Sequence, residues 1–294
     1  MTSRLDPEKL RPLDLSPAQI DAAGALAKQA HWNQIAADWR LMLSIGRGFG
    51  LSAPGEKLVA TGITLPFTGG GFGWISMILV DETCRRLGLG KRMMQFCLDE
   101  LAARRLTPML DATPAGRELY LTLGFVDLWR LTRLTRRDAG RVAFAAPPDS
   151  GIRIAPFGDA DWSDALALDR QAFGADRAPI LRDLARRRPN LALAARRGGR
   201  LTGFSLARDG RVATHLGPIV ATDAATADAL LAVAFARQDA PFYIDVPDAA
   251  AALQEKLAAS GFVAERPFIR MACGTSKAPG DASLLYAVAG PELG

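Results

Sequence analysis

One stretch constrains this chain more than any other: Trp74-Ile75-Ser76-Met77-Ile78-Leu79-Val80, then Asp81-Glu82-Thr83-Cys84, then Arg85-Arg86-Leu87-Gly88-Leu89-Gly90-Lys91-Arg92-Met93-Met94. A run of strand formers, a short polar connection and two glycines opening an amphipathic run predict strand, turn and helix. The first turn of a helix leaves backbone N–H groups unpaired and carries the positive end of the macrodipole, so it stabilises an anion without a dedicated side chain. Gly88 and Gly90 let a phosphate approach. Past them, Met93, Cys97 and Leu101 share a helical stripe with Met94 and Leu98, while Arg92, Gln95, Asp99 and Glu100 fall largely outside it, so one face is built to pack on a sheet. A dinucleotide fingerprint would need a third glycine where Met93 stands, and a P-loop would need Gly-Lys-Ser/Thr where Gly90-Lys91-Arg92 follows.

Arg85-x-x-Gly88-x-Gly90 after an apolar strand resembles the pyrophosphate loop of the GCN5-related N-acetyltransferase (GNAT) superfamily, whose pattern is Arg or Gln, two residues, Gly, one residue, Gly or Ala. A second segment strengthens the resemblance. Met109 to Ala112 reads as a short buried strand, Thr113-Pro114 supplies a capping hydroxyl and a first-turn proline, and Gly124 closes the helix before the strand that begins Phe125-Val126-Asp127-Leu128-Trp129. A helix carrying Tyr120 four residues before Gly124-Phe125 is similar to the superfamily's other signature, over residues 109 to 129. Thr113 stands where the superfamily often has Asn, so a contact from that position falls to a hydroxyl.

At 294 residues with 49% hydrophobic content, the chain has length and apolar surface for two cores. Cys84, Cys97 and Cys273 are an odd number without a CxxC pair, which points to neither a disulfide framework nor a cysteine metal site. No metal is expected, and a reducing cytoplasm fits best. The opening residues lack the apolar core of a secretion signal, and the apolar stretches are strand length rather than the roughly 20 residues that cross a bilayer. Neither a membrane nor a nucleic acid is an expected partner. The net charge of +5 comes from scattered arginines, and the densest run, Arg186-Arg187-Arg188, has no interleaved aromatic for base stacking. A positive excess also suits a ligand bearing several phosphates.

Read in order, the chain begins with a short strand at Leu10 to Leu13, a helix capped by Ser16-Pro17 and running to about Ala30, and a second helix from about Asn33 to Leu43 with Ile35, Trp39 and Met42 on one face. Strands follow near Gly48 to Ser52 and Leu58 to Leu65. Residues 137 to 151 lack periodicity and collect Pro and Gly, as a linker does. The pattern then starts again, with strands, helices and a final helix ending at Gly261-Phe262-Val263, the counterpart of Gly124-Phe125-Val126. The expected class is α+β (mixed α/β): two tandem GNAT-like domains, 1–136 and 152–294, each a twisted mixed sheet flanked by helices. The second half also resembles the C-terminal half of YitH/HolE-type tandem acetyltransferases, through Gln171 to Arg177, Leu216 to Ala221 and Arg270-Met271.

The resemblance implies acetyl transfer from acetyl-CoA to an amine, with the coenzyme held at Ile78, Leu79 and Val80 on the strand and at Arg85, Arg86, Leu87, Gly88, Leu89, Gly90 and Lys91 in the loop. Tyr120, at the superfamily's position, is implied as general acid to the departing thiolate, and a phenol with an ordinary pKa near 10 keeps its proton at neutral pH. Substrate entrances in the superfamily lie near the first two helices, which brings in Trp32. Asp111, Asp176, Asp245 and His215 are open alternatives for a base or for acceptor contacts. A second half folded over the first would favour a small-molecule amine, and the chain is compatible with a homo-oligomer. A sensor that binds acetyl-CoA without turning it over is the rival expectation. Aligning Val220 with Val80 puts Ala225, Asp228 and Leu230 opposite Arg85, Gly88 and Gly90, and aligning Gly261 with Gly124 puts Leu257 opposite Tyr120. One coenzyme per chain is therefore expected.

Overall fold

The computed structural model describes residues 6–145 and 151–294. The opening residues 1–5, read above for a secretion signal, and residues 146–150 of the expected linker lie outside the described residues. By packing, the chain divides into two compact units, Met1–Leu110 and Asp111–Gly294.

In the first unit β1 (Arg11–Leu15), β2 (Arg47–Ser52), β3 (Leu58–Phe67) and β4 (Phe72–Val80) pair antiparallel in chain order. β5 (Thr107–Ala112), whose last two residues belong to the second unit, runs parallel to β4, pairing only from Phe72↔Thr107 to Trp74↔Met109. Helices α1 (Ile20–Gln29) and α2 (Ala36–Ile45) pack on this sheet, as does α3 (Leu89–Ala103), which buries Met93, Met94, Cys97 and Leu101. Side chains of this size each contribute about 1.5–3 kcal/mol on burial, enough to seat α3 firmly. α2 starts three residues later than its apolar spacing suggests. The Asp38 carboxylate accepts the Ile35 N–H at 2.8 Å, so Ile35 becomes the capping position rather than part of the apolar face.

The second unit carries α4 (Pro114–Thr122), β6 (Phe125–Gly140), β7 (Ile152–Pro156), α5 (Trp162–Phe173), α6 (Ala178–Arg187), β8 (Leu193–Arg197), β9 (Arg200–Arg208) and β10 (Thr214–Ala221). It continues through α7 (Ala224–Arg237), β11 (Ala240–Pro247), α8 (Ala251–Ala259), β12 (Val263–Cys273) and β13 (Leu285–Ala287). Its strand order is β12-β6-β11-β10-β9-β8-β7, with β13 attached to β10. The core gathers Leu134, Leu216, Ile219, Leu230, Leu231, Phe235, Phe242, Ile244, Leu257 and Phe262, all buried.

The packing division does not coincide with the repeat limits at 136 and 152. β6 lies between β11 and β12, both from the later part of the chain. Arg137 to Gly140, assigned above to the linker, are the end of that strand, and Val142 is buried in the second unit's core.

Candidate functional site

β4 reaches the glycine loop through a bulge. Thr61 stands opposite Leu79 and Ile63 opposite Ser76, so Gly62 alone faces both Met77 and Ile78. The extra residue bends the strand and takes backbone groups out of the ladder. Met77 sits at φ 54°, a left-handed conformation uncommon for a side chain of its size and typical of functional sites. Its carbonyl accepts from Thr61 Oγ1 at 2.8 Å. Ile78 and Val80 are half-buried and Leu79 is buried.

Asp81 then pins the connection. Its N–H donates to the Val59 carbonyl at 2.8 Å, its Oδ1 accepts from the Thr83 N–H at 3.0 Å and from Thr83 Oγ1 at 2.5 Å, and Lys57 Nζ lies 2.9 Å from Oδ2. Burial pushes this carboxyl up, but Thr83 and Lys57 outweigh it and hold the pKa at about 2. Sequence reasoning passed over Asp81. Its Asp-x-Thr spacing was a local signal, whereas Lys57 lies in the connection between β2 and β3.

Arg86 at φ 62° and Gly88 at φ 75° turn the chain into α3. Gly88 occupies the capping position and supplies no side chain to it. A Cβ at Gly88 would meet nothing within 4 Å, and Arg85, Arg86, Gly88 and Lys91 are exposed. Leu87 and Gly90 are half-buried, and Leu89 is buried under the helix. A helix terminus without a side-chain cap, open to approach and rimmed by cationic side chains, fits a pyrophosphate in shape and in sign.

In the second unit Thr113 caps α4 by accepting the Gly116 N–H at 3.2 Å. Tyr120 is half-buried, with its ring 5.9 Å from that of Phe125. The ring lies back along the helix over Gly116, where a Cβ would come within 3.0 Å of Cε2 and 3.3 Å of Oη. Gly116 thus makes room for the phenol, at a helix position where glycine is otherwise unfavourable.

The acceptor candidates fall into several contacts. Trp32, in the first unit, is half-buried and follows α1, its N–H donating to the Ala27 carbonyl at 2.9 Å. Asp111 receives Arg270 Nε and Nη2, each at 2.8 Å, and the Arg270 guanidinium stacks 4.2 Å over the Trp129 ring. Burial raises the Asp111 pKa against the pull of Arg270. Asp245 receives Arg133 at 2.8 and 2.7 Å. Burial works upward there too, but the arginine outweighs it and the carboxyl is held below its ordinary range. His215 Nε2 lies 3.3 Å from Asp245. Burial and the neighbouring Arg208 push the imidazole well below its ordinary pKa, so it is neutral at physiological pH. Asp176, two residues before α6, accepts the Ala178 N–H at 2.8 Å and pairs with Arg170 at 3.1 Å. The structure thus brings His215 and Asp245 together, sealed from solvent. Asp111 and Asp176 each sit in a separate contact.

The repeat's counterpart of α3 is α7, and its first turn carries a side-chain cap. Asp223 accepts the Thr226 N–H at 2.8 Å and Thr226 Oγ1 at 2.9 Å, and pairs with Arg197 at 3.0 Å. Asp228, opposite Gly88 in the alignment, is bonded to Lys256. Among the described residues no group of three or more His, Cys, Asp or Glu could hold a metal ion. No helix among them is long and apolar enough to cross a membrane.

Comparison with known proteins gives two family matches, the acetyltransferase (GNAT) family over residues 25–125 and an acetyltransferase (GNAT) domain over residues 165–287. The chain is 28% identical over 276 residues to the uncharacterized N-acetyltransferase YitH of Bacillus subtilis, covering 92% of this chain and 93% of that protein. Its fold is similar to a putative acetyltransferase from Pyrococcus horikoshii, with TM-score 0.80, 21% identity and coverage of 100% of this chain and 99% of the other. It is also similar to a tandem GNAT protein from the clavulanic acid biosynthesis pathway, with TM-score 0.61, 13% identity and coverage of 91% and 100%.

Proposed function

The chain belongs to the GNAT acetyltransferase family, with one matched domain in each half, and from that premise we propose that it transfers the acetyl group of acetyl-CoA to a small-molecule amine. The observation that carries this reading is the terminus of α3, which has no side-chain cap and opens at Gly88, one short connection after the bulged end of β4. Backbone N–H groups from about Arg86 to Lys91 hold the pyrophosphate, and Ile78 to Val80 pair with the pantetheine arm. Acetyl-CoA supplies an activated acyl group. The protein's part is to fix the two reactants and to direct a backbone donor of the bulge at the oxygen where negative charge develops.

Tyr120 Oη donates its proton to the departing thiolate. Asp111 and Asp245 are each locked to an arginine, His215 is sealed from solvent against Asp245, and Asp176 is engaged by the Ala178 N–H and Arg170, so solvent takes the proton of the incoming ammonium. Acceptor contacts come from the region of Trp32.

Incubation with acetyl-CoA and a panel of amines, followed by release of free thiol, tests the reading. A small amine is expected to drive release above background, and Tyr120→Phe to lower turnover by about 10²-fold or more while leaving coenzyme affinity largely intact. Coenzyme binding without thiol release would identify a sensor instead. Acetylation of a lysine peptide but of no small amine would overturn the acceptor class, and unchanged turnover in the variant would remove Tyr120.

A further inference from the structure

The second repeat keeps the bulge and fills the space beside it. Ala207 stands opposite Leu216 and Ser205 opposite Ile219, so Leu206 alone faces Gly217 and Pro218. In the alignment that sets Val220 against Val80, Gly217 and Pro218 fall on Met77 and Ile78, so both repeats are bulged at the same place. β10 and β11 pair only at Thr214↔Phe242 and His215↔Tyr243. Between their diverging ends lies β13, antiparallel to β10 at Ile219↔Ala287 and Val220↔Leu285. The next residue, Val288, donates its N–H to the Asp245 carbonyl on β11 at 3.0 Å. A single short segment therefore bridges both edges of the gap.

That segment is buried and keyed in place. Ala287, Val288, Ala289 and Leu293 have no exposed surface, and a Cβ on Gly217 would collide with the Val288 carbonyl oxygen. Glu292, 2% exposed, accepts from Arg208 of β9, itself fully buried. Arg208 Nη2 is also 3.4 Å from His215 Nδ1. Arg177, bound to both oxygens of Asp169 at 2.9 Å, donates its Nη1 to the Gly294 carbonyl. A buried guanidinium is costly without a carboxylate, so Arg208 selects an acidic residue in whatever occupies the gap. The strand pairing adds backbone hydrogen bonds, as in recognition of an extended peptide by a sheet edge.

We propose that the gap between β10 and β11 is a peptide-strand site whose ligand is the chain's own residues 285–294, keyed by Glu292 on Arg208, and that coenzyme does not enter it. The comparison with a coenzyme cleft rests on the function proposed above, whereas the seating of the segment stands on its own contacts. The site converts what the repeat would use for a pantetheine arm into a permanent intramolecular complex. It is a loss of cofactor binding separate from the side-chain cap on α7.

Hydrogen exchange on the full chain, read by mass spectrometry with and without acetyl-CoA, tests this. In the wild type, amides of residues 286–288 are expected to exchange as slowly as those of β10, and acetyl-CoA to protect residues 78–91 without altering 214–221 or 285–294. Glu292→Gln is expected to speed exchange across 285–294 by about tenfold or more, with α3 and β3 unchanged. Fast exchange of 286–288 in the wild type overturns the proposal whether or not the variant folds. So does coenzyme-dependent protection of 214–221, or an acceleration in the variant shared equally by both units. Absence of protection at 78–91 would strike the coenzyme reading alone and leave the slow exchange of 286–288 as support for the peptide site.

Discussion

At Gly88 the backbone turns through φ 75° into open space, so an aspartate there would fit sterically, in a conformation Asp tolerates better than most residues. Its carboxylate would stand where the phosphates are proposed to bind. Gly88→Asp is therefore expected to leave the fold intact and abolish acetyl-CoA binding, as isothermal calorimetry would show against one site per chain in the wild type. Asp81 acts one step earlier, by fixing the connection from β4. A carboxyl held at about 2, below its unfolded value of about 3.9, contributes stability that is complete above the unfolded value and is lost as pH falls toward the folded one. Allowing for screening at the exposed Lys57, Asp81→Asn is expected to cost about 1–2 kcal/mol at neutral pH. In denaturant unfolding the gap to the wild type should close between about pH 4 and pH 2. Arg85, Gly88 and Gly90 were legible as a spacing within one segment. The sealing of His215 and Asp245 was not, because it depends on Arg208 and Arg133, which the fold brings in from other strands.

In α4, helix propensity and the packing of Tyr120 pull in opposite directions. An alanine at position 116 would gain up to about 1 kcal/mol of helix propensity, yet its Cβ would press on the Tyr120 ring at 3.0 Å. Gly116→Ala is expected to lower turnover several-fold while the melting temperature holds or rises. An equal fall in both would show that the ring is not held by this glycine. α3 and α4 could be read from the sequence because periodicity, a capping residue and a closing glycine are all local. The full length of β6 could not. Its arginines at 133, 136 and 137 look like the end of an element, but they are met by Asp245, the Ser260 carbonyl and Glu265, all more than 100 positions away. β13 escaped for a related reason: three residues carry no period, and their strand partner is β10.

On the scale of the whole molecule, the sequence repeat and the packing disagree because the second unit takes in a strand of the first repeat. Within the second unit Leu131 pairs directly with Phe268, and these two are equivalent under the same shift of 137 positions that carries Gly124 to Gly261. The shift also carries Arg133 to Arg270, and the two arginines hold Asp245 and Asp111 in matching bidentate pairs. β6, which starts at Phe125 where the first family match ends, is thereby enclosed by β11 and β12. This has a consequence for synthesis on the ribosome. β6 ends at Gly140 and its partners begin at Ala240 and Val263, so its two edges wait roughly 100 and roughly 120 residues, or about 5–25 s at ordinary elongation rates, before pairing can start. Bare strand edges invite association with other chains, and the arginines along β6 act as guards against it during the wait. Nascent chains stalled near residue 200 should be cut by protease within β6, and chains released after residue 273 should resist. Protection of β6 in the shorter chains would mean that the strand finds shelter before its partners exist.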